Sequence, residues 1–273
     1  MPYKVLILAA LLIFSKSCFA QSNGKEYEVN FAWEVKQLDE FIERFNNDKS
    51  SFINKYVKNH ESTDPLTRNR IIKSLFDAKG QSWNYQQINE FLKEVDNAEH
   101  PQYLDFNGDK WFARATCDIL YHGKPSTATI ILMIDNLSDG SSKWIIADIR
   151  FSNQVRTSIA SESSAGLVEC PIPADSTSSL SPMSHAIGFM NIDLATKNPK
   201  NIRNFVIGSK STERSKNLNL FIDACLKNNL KILQVHDVTY SFLQITGWRI
   251  EIKQFTRQSM NSGWLITKLV KLT

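Results

Sequence analysis

The 273-residue sequence is poor in cysteine, glycine and proline, with four Cys, ten Gly and eight Pro. This composition excludes collagen-like and low-complexity chains, which are rich in glycine and proline. After residue 20 there is no apolar run close to the roughly 20 residues that a transmembrane helix needs. Glycine-rich phosphate loops are also lacking. What remains, 42% hydrophobic with sixteen Phe, is typical of a well-packed globular chain.

A large excess of charge of one sign is lacking as well. The whole chain has 32 basic and 28 acidic residues, and removal of residues 1–20 would leave 30 basic and 28 acidic residues. No block of like charges occurs. Nucleic-acid binding needs a concentrated basic face, so we expect no nucleic-acid partner.

Residues 1–20 have the pattern of an export signal. A basic start is followed by an apolar run over residues 5–14, and Ala20 supplies the small residue before the cleavage site. Cys18 leaves a lipid-anchored form as an alternative, although Lys16 fits lipidation poorly. We therefore expect an exported protein, periplasmic or extracellular, that is not transmembrane.

Three cysteines follow this segment: Cys117, Cys170 and Cys225. So small and odd a number is not a disulfide framework, and the spacings are not those of zinc ligands. Cys117 lies in a strand pattern and Cys225 in a helix pattern, so both are expected to be buried. A disulfide between Cys170 and Cys225 is the one pairing that an oxidising compartment would favour.

A linker at residues 156–182, with eight serines and three prolines, divides the chain. In the first half, residues 27–155, helical stripes precede three segments with strand periodicity. Their short connections predict an antiparallel meander. The predicted strands are Trp111–Tyr121, Thr127–Asp135 and Lys143–Phe151.

The same order recurs in the second half, residues 183–273. Ile202, Phe205 and Val206 match Ile53, Tyr56 and Val57 at a constant offset of 149 residues. Three further strands are predicted, at Lys231–Leu243, Trp248–Arg257 and Trp264–Leu272. We interpret the two halves as an internal duplication, and we expect each copy to carry its own sheet.

Local signals locate the helices of the first half. Apolar residues from Phe31 to Phe45 share one helical face, and Ile71 to Phe76 form a second stripe. Asp64 followed by Pro65 is typical of a helix start. Asn84 with Gln87 resembles a capping box ahead of a third stripe.

Helices that lead into a curved antiparallel sheet resemble the nuclear-transport-factor-2-like (cystatin-like) fold, a cone-shaped α+β scaffold. The resemblance rests on element order across residues 27–155 and 183–273. The export signal ahead of two such modules also resembles uncharacterised secreted proteins of Bacteroidetes. The resemblance to the cone-shaped fold implies that small ligands bind in the mouth of the cone. It also implies that the outer sheet face packs on the other copy or in a homodimer. Apolar residues on both faces of 129–133 agree with a sheet covered on both sides.

Candidate site residues come from the chemistry of related cone-fold enzymes, which use a carboxylate in an apolar pocket. Asp118 and His236 are the titratable candidates. Asp118 shares a strand face with Arg114 and Thr116, so a solvated or ion-paired acid is the competing interpretation. For His236 the alternative is a structural histidine. Aromatic pocket candidates are Trp144, Tyr240 and Trp264. The two tryptophans open predicted strands, where a role in the core is the default interpretation.

No catalytic set is predicted. The serines that might act as nucleophiles cluster in the linker, and the five histidines contain no i, i+4 pair, so neither a metal nor another cofactor is expected. We expect a non-catalytic module of the bacterial envelope that binds a ligand or a protein. The alternatives are a small-molecule isomerase or dehydratase that uses Asp118 or His236, and a structural subunit of an envelope complex.

Overall fold

The computed structural model describes residues 26, 28–60, 66–80, 82–136, 142–152, 192, 194–206, 215–257 and 259–272. The predicted signal at 1–20 and linker at 156–182 lie outside these residues, as do Asp64, Pro65 and the predicted module boundaries at 155 and 183. Within the described residues the chain is α+β, with helices before strands in both halves. The predicted α+β class is therefore confirmed.

The first half opens with helices that bury the predicted apolar stripes. Phe45 of α1 and Phe91 of α4 are both fully buried, and their ring centroids lie 6.3 Å apart. Helix α4 starts as predicted, because Asn84 Oδ1 accepts hydrogen bonds from the backbone N–H groups of Gln86 and Gln87. Residues 28–33 are helical, and the helices that follow are α1 (Leu38–Asn46), α2 (Phe52–His60), α3 (Arg68–Ser74) and α4 (Tyr85–Val95).

The apolar face from Phe31 to Phe45 is not one helix. The helical conformation stops after residue 33 and resumes at Leu38. Arg44, which is 1% exposed, stabilises the break by donating hydrogen bonds to the carbonyl oxygens of Trp33 at 2.7 Å and Glu34 at 2.8 Å. Carbonyls at a helix end have no partner within the helix, and the buried guanidinium supplies one.

All six predicted strands are observed, with ends within three residues of the prediction. They form one antiparallel sheet in the order β3-β2-β1-β4-β5-β6. The β1–β2 turn has two residues, His122 and Gly123, with φ angles of 48° and 73°, as a type I′ hairpin requires. The strands are β1 (Trp111–Tyr121), β2 (Lys124–Asn136), β3 (Ser142–Phe151), β4 (Leu230–Phe242), β5 (Trp248–Phe255) and β6 (Gly263–Lys271).

The two halves meet in the middle of this sheet. Strands β1 and β4 pair along their whole length, from Trp111 opposite Phe242 to Tyr121 opposite Leu230. This differs from the expected separate sheets, because strands from both sides of the predicted linker belong to one sheet. Pairing of β1 with β4 satisfies backbone groups that two separate meanders would leave on open edges.

The second half contributes short helical segments and one longer helix. The N-cap of the longer helix is Ser215, whose side chain accepts a hydrogen bond from the Leu218 backbone N–H at 3.0 Å. This helix buries Phe221 and Cys225. The helix pattern that the sequence shows at Cys225 is therefore observed. The segments are α5 (Leu194–Lys197), a 3₁₀ helix (Pro199–Phe205) and α6 (Lys216–Leu226).

The chain groups into two compact units. The first comprises the described parts of Met1–Leu92 and Gln254–Ile266. In it, α3 ends at Ser74, two residues before the end of the predicted stripe, because Phe76 forms a parallel β-bridge with Ile266. Asn261 Nδ2 also donates to the Phe76 carbonyl at 2.8 Å.

The second unit comprises the described parts of Lys93–Lys253 and Thr267–Thr273. It holds β1 to β4 entirely, together with the helices of the second half. Alternate residues of β1 are fully or almost fully buried on one side of the sheet. The rings of Trp111 and Phe242 stack there at 5.0 Å.

Candidate functional site

One side of the sheet in the second unit is only partly covered. The β1 residues that alternate with the buried ones have intermediate exposure. Strand register places β2 and β4 residues beside them, and Met133 of β2 is 41% exposed. We call this side the open face, and its residues are Arg114, Thr116, Asp118, Thr129, Ile131, Met133, His236 and Asp237.

His236 occupies a β-bulge. Thr116 lies opposite Asp237, whereas the next residue, Cys117, lies opposite Val235, so His236 is an extra residue in β4. A second register shift follows two residues later along β1 and leaves Leu233, 53% exposed, as another extra residue. Bulges change the direction in which a side chain points, and they are frequent at binding sites.

The bulge brings two predicted site residues together. His236 Nε2 lies 2.6 Å from Asp118 Oδ2, and the side chains are 46% and 41% exposed. Beside them, Lys253 Nζ lies 2.6 Å from Asp237 Oδ2, with similar exposure. The sequence proposed Asp118 and His236 as separate candidates in separate modules, and the structure makes them one pair.

A more deeply buried ion-pair cluster lies farther along the same sheet. The Glu251 carboxylate is only 9% exposed, and it lies 2.9 Å from Arg114 Nη2 and 3.2 Å from Arg249 Nε. Ser241, opposite Glu251 in the β4–β5 pair, is fully buried. A carboxylate this buried needs charged partners to offset its desolvation, and the two arginines supply them.

Trp144 and Tyr240 lie on the other side of the sheet. They are 4% and 2% exposed, and their ring centroids are 6.1 Å apart. Trp111 packs edge-on against Trp144 at 4.9 Å. Burial raises the pKa of the Tyr240 hydroxyl. Both residues therefore occupy the core, which is the default role of Trp144, and the structure does not bring them near Asp118.

The remaining candidates are Trp264 and the two cysteines of the predicted disulfide. Trp264 is in the first unit, where its backbone N–H donates to the Val35 carbonyl at 2.8 Å. Cys225 is 1% exposed and burial raises its thiol pKa. Cys170 lies outside the described residues, so the pairing with Cys225 stays a prediction. Burial, with a smaller contribution from Asp118, raises the pKa of Cys117 to about 12.

Chemically, the open face is suited to recognition. A catalytic carboxylate acts in a position shielded from water, whereas Asp118 is 41% exposed and lies 2.6 Å from His236. Among the described residues, no group of three or more His, Cys, Asp or Glu side chains could hold a metal ion.

The sequence prediction missed Arg249, Glu251 and Lys253. A signal for them exists, because in the run from Trp248 to Phe255 these charged residues alternate with the buried Ile250 and Ile252. Three charges on one face of an otherwise apolar strand indicate a face that is not simply packed core.

Comparison with known proteins adds no relative. No family model, no curated protein and no solved structure matches this chain. Across the part of the chain that the structure describes, no helix is both long enough and apolar enough to cross a membrane.

Proposed function

We propose that this protein is an exported, non-catalytic binding module of the bacterial envelope, and that it holds a ligand or another protein on its open face. The observation that carries the proposal is the Asp118–His236 pair. Its two side chains are half-exposed at a β-bulge and 2.6 Å apart. This pair presents fixed donors and acceptors to a partner rather than a desolvated base to a substrate.

The composition around the pair supports a binding surface. Thr116 and Thr129 add hydroxyl groups, while Ile131 adds apolar area of intermediate exposure. A mixture of apolar area and paired charges is typical of transient protein interfaces. A second copy of this chain is the simplest partner, since a face with both signs of charge can be complementary to itself.

The finer fold assignment, two tandem nuclear-transport-factor-2-like modules, is also a proposal. Its support is the sheet order, which reads β1-β2-β3 outward in one direction from the centre and β4-β5-β6 in the other. Each half would then be one copy, joined at its first strand.

The binding proposal is tested on protein produced without residues 1–20, by native mass spectrometry and analytical ultracentrifugation. We expect a retained ligand mass or a dimer, and we expect Thr116→Arg to abolish it, because the new side chain would project from the centre of the open face. Lys73→Glu, an exposed change on α3, is the matched control. A wild-type protein that is monomeric and carries no bound mass would contradict the proposal.

The variant Asp118→Asn distinguishes the isomerase alternative from the binding proposal. If Asp118 were a catalytic base, this variant would lose the ability to exchange the α-protons of small ketones for solvent deuterium, followed by NMR. We expect wild type and variant alike to show no exchange above buffer. Export is tested by N-terminal sequencing of the secreted protein, which should begin at Gln21.

A further inference from the structure

The first compact unit has an exposed group of aromatic side chains. Phe31 is 47% exposed and Phe52 is 49% exposed. Together with Lys36, Tyr56 and His60 they form what we call the aromatic surface. It belongs to the helices at the start of the described chain, and it shares no residue with the open face.

Helix α2 holds most of this surface in place. Ile53 and Val57 on one side of α2 are buried in a small cluster with Trp33. Phe52 and Tyr56, four residues apart, pack ring to ring at 6.3 Å, and Tyr56 and His60 pack at 4.5 Å. The row of rings is therefore pre-arranged along the helix.

Lys36 links the row to Phe31. Its Nζ lies 3.2 Å from the centroid of the Phe31 ring and 5.6 Å from that of Phe52, a cation–π arrangement. Partial burial lowers the pKa of Lys36. An ammonium group held among half-exposed rings gives the surface an amphipathic character.

The chemistry of the surface matches a lipid headgroup region. Exposed Lys55 and Lys58 lie on α2, which contains no acidic residue. Aromatic rings flanked by lysines are the composition with which helices lie in the interface of a membrane.

We propose that the aromatic surface docks the protein on a phospholipid membrane, with Phe31 and Phe52 inserted among the headgroups. Each ring has about 100 Å² left to bury, roughly half of a Phe side chain. Acidic residues on α1, among them Asp39 and Glu43, balance the lysines nearby. Attachment therefore depends mainly on apolar insertion and only weakly on salt concentration.

The experiment is flotation of the protein without residues 1–20 on vesicles of phosphatidylethanolamine and phosphatidylglycerol. We expect the wild type to bind, and Phe31→Ser with Phe52→Ser to lower the partition coefficient about tenfold or more. The control is Tyr85→Ser with Tyr103→Ser, which removes two exposed aromatics elsewhere, 75% and 53% exposed. Circular dichroism confirms folding, and each single Phe variant should show an intermediate loss.

Three results would overturn the proposal: no vesicle binding by the wild type, undiminished binding by the double Phe variant, or an equal loss in the Tyr control. If the wild type fails to bind vesicles, the alternative is that a groove of a partner protein covers the aromatic surface. The vesicle experiment does not test the open face, because Thr116 does not belong to the aromatic surface. Thr116→Arg should therefore bind vesicles like the wild type.

Discussion

Gly263→Ala should be among the most damaging single-methyl substitutions in the first unit. Gly263 opens β6 with a φ angle of +81°, and it forms a parallel bridge with Val35. A Cβ atom at this position would lie 2.0 Å from the Val35 carbonyl oxygen and 2.5 Å from its carbon. Because these are backbone atoms, no side-chain rotation can relieve the overlap.

The expected cost has two parts. An alanine in the left-handed region costs about 1–2 kcal/mol. Separation of the two segments would also weaken two hydrogen bonds, from Val35 N–H to the Ser262 carbonyl at 3.2 Å and from Trp264 N–H to the Val35 carbonyl at 2.8 Å, at about 1 kcal/mol each. The variant should therefore lose about 3–4 kcal/mol of unfolding free energy.

Urea denaturation followed by circular dichroism measures this loss. The matched controls are Gly123→Ala and Gly247→Ala, whose φ angles of +73° and +77° are similar but whose Cβ atoms would meet nothing within 4 Å. They should cost only the conformational part, about 1–2 kcal/mol. Equal destabilisation by Gly263→Ala and Gly123→Ala would refute the argument, since the contact with Val35 would then contribute nothing. Val35→Ala should not rescue the variant, because the overlapping atoms belong to the backbone.

Three further outcomes are expected. Arg44→Met should lower the unfolding free energy by about 3 kcal/mol, because buried carbonyls lose their donor; a loss below about 1 kcal/mol in urea would show that the guanidinium is dispensable. Cys117 should resist alkylation at pH 8 in the native protein and react on unfolding. Because the pKa of Cys117 rises from 9.0 to about 12 on folding, protonation of the thiol stabilises the folded state fully below pH 9, and this stabilisation is lost as the pH rises towards 12. A difference in unfolding free energy between wild type and Cys117→Ala that does not change with pH would contradict this. Asp77→Asn should destabilise the first unit by removing a charge that is 2% exposed and 2.7 Å from Arg257. In a double-mutant cycle with Arg257→Met, a coupling energy of zero would show that the pair does not interact.

The open-face pair shows the limit of site prediction from this sequence. The sequence alone marks Asp118 and His236 as titratable residues on predicted strands, and it allows an ion-paired Asp118. The sequence named Arg114 as its neighbour, whereas the structure gives it His236 and pairs Arg114 with Glu251. The choice of partner depends on a bulge. The two extra residues of β4, Leu233 and His236, shift its alternation twice, but the sequence pattern does not show that β1 is the strand beside them.

Local physics determined a large part of the fold from the sequence by itself. Alternation with a period of two located all six strands, and the Asn84 cap located the start of α4, because both signals depend on residues a few positions apart. The tertiary structure alone decided that β1 pairs with β4, that Arg44 stabilises a break in the first helical stripe, and that Phe76 leaves α3 to pair with Ile266. Each of these contacts joins backbone or buried polar groups that periodicity does not describe. They form because unpaired backbone groups must find partners in the packed chain, and which partner is nearest depends on the whole fold.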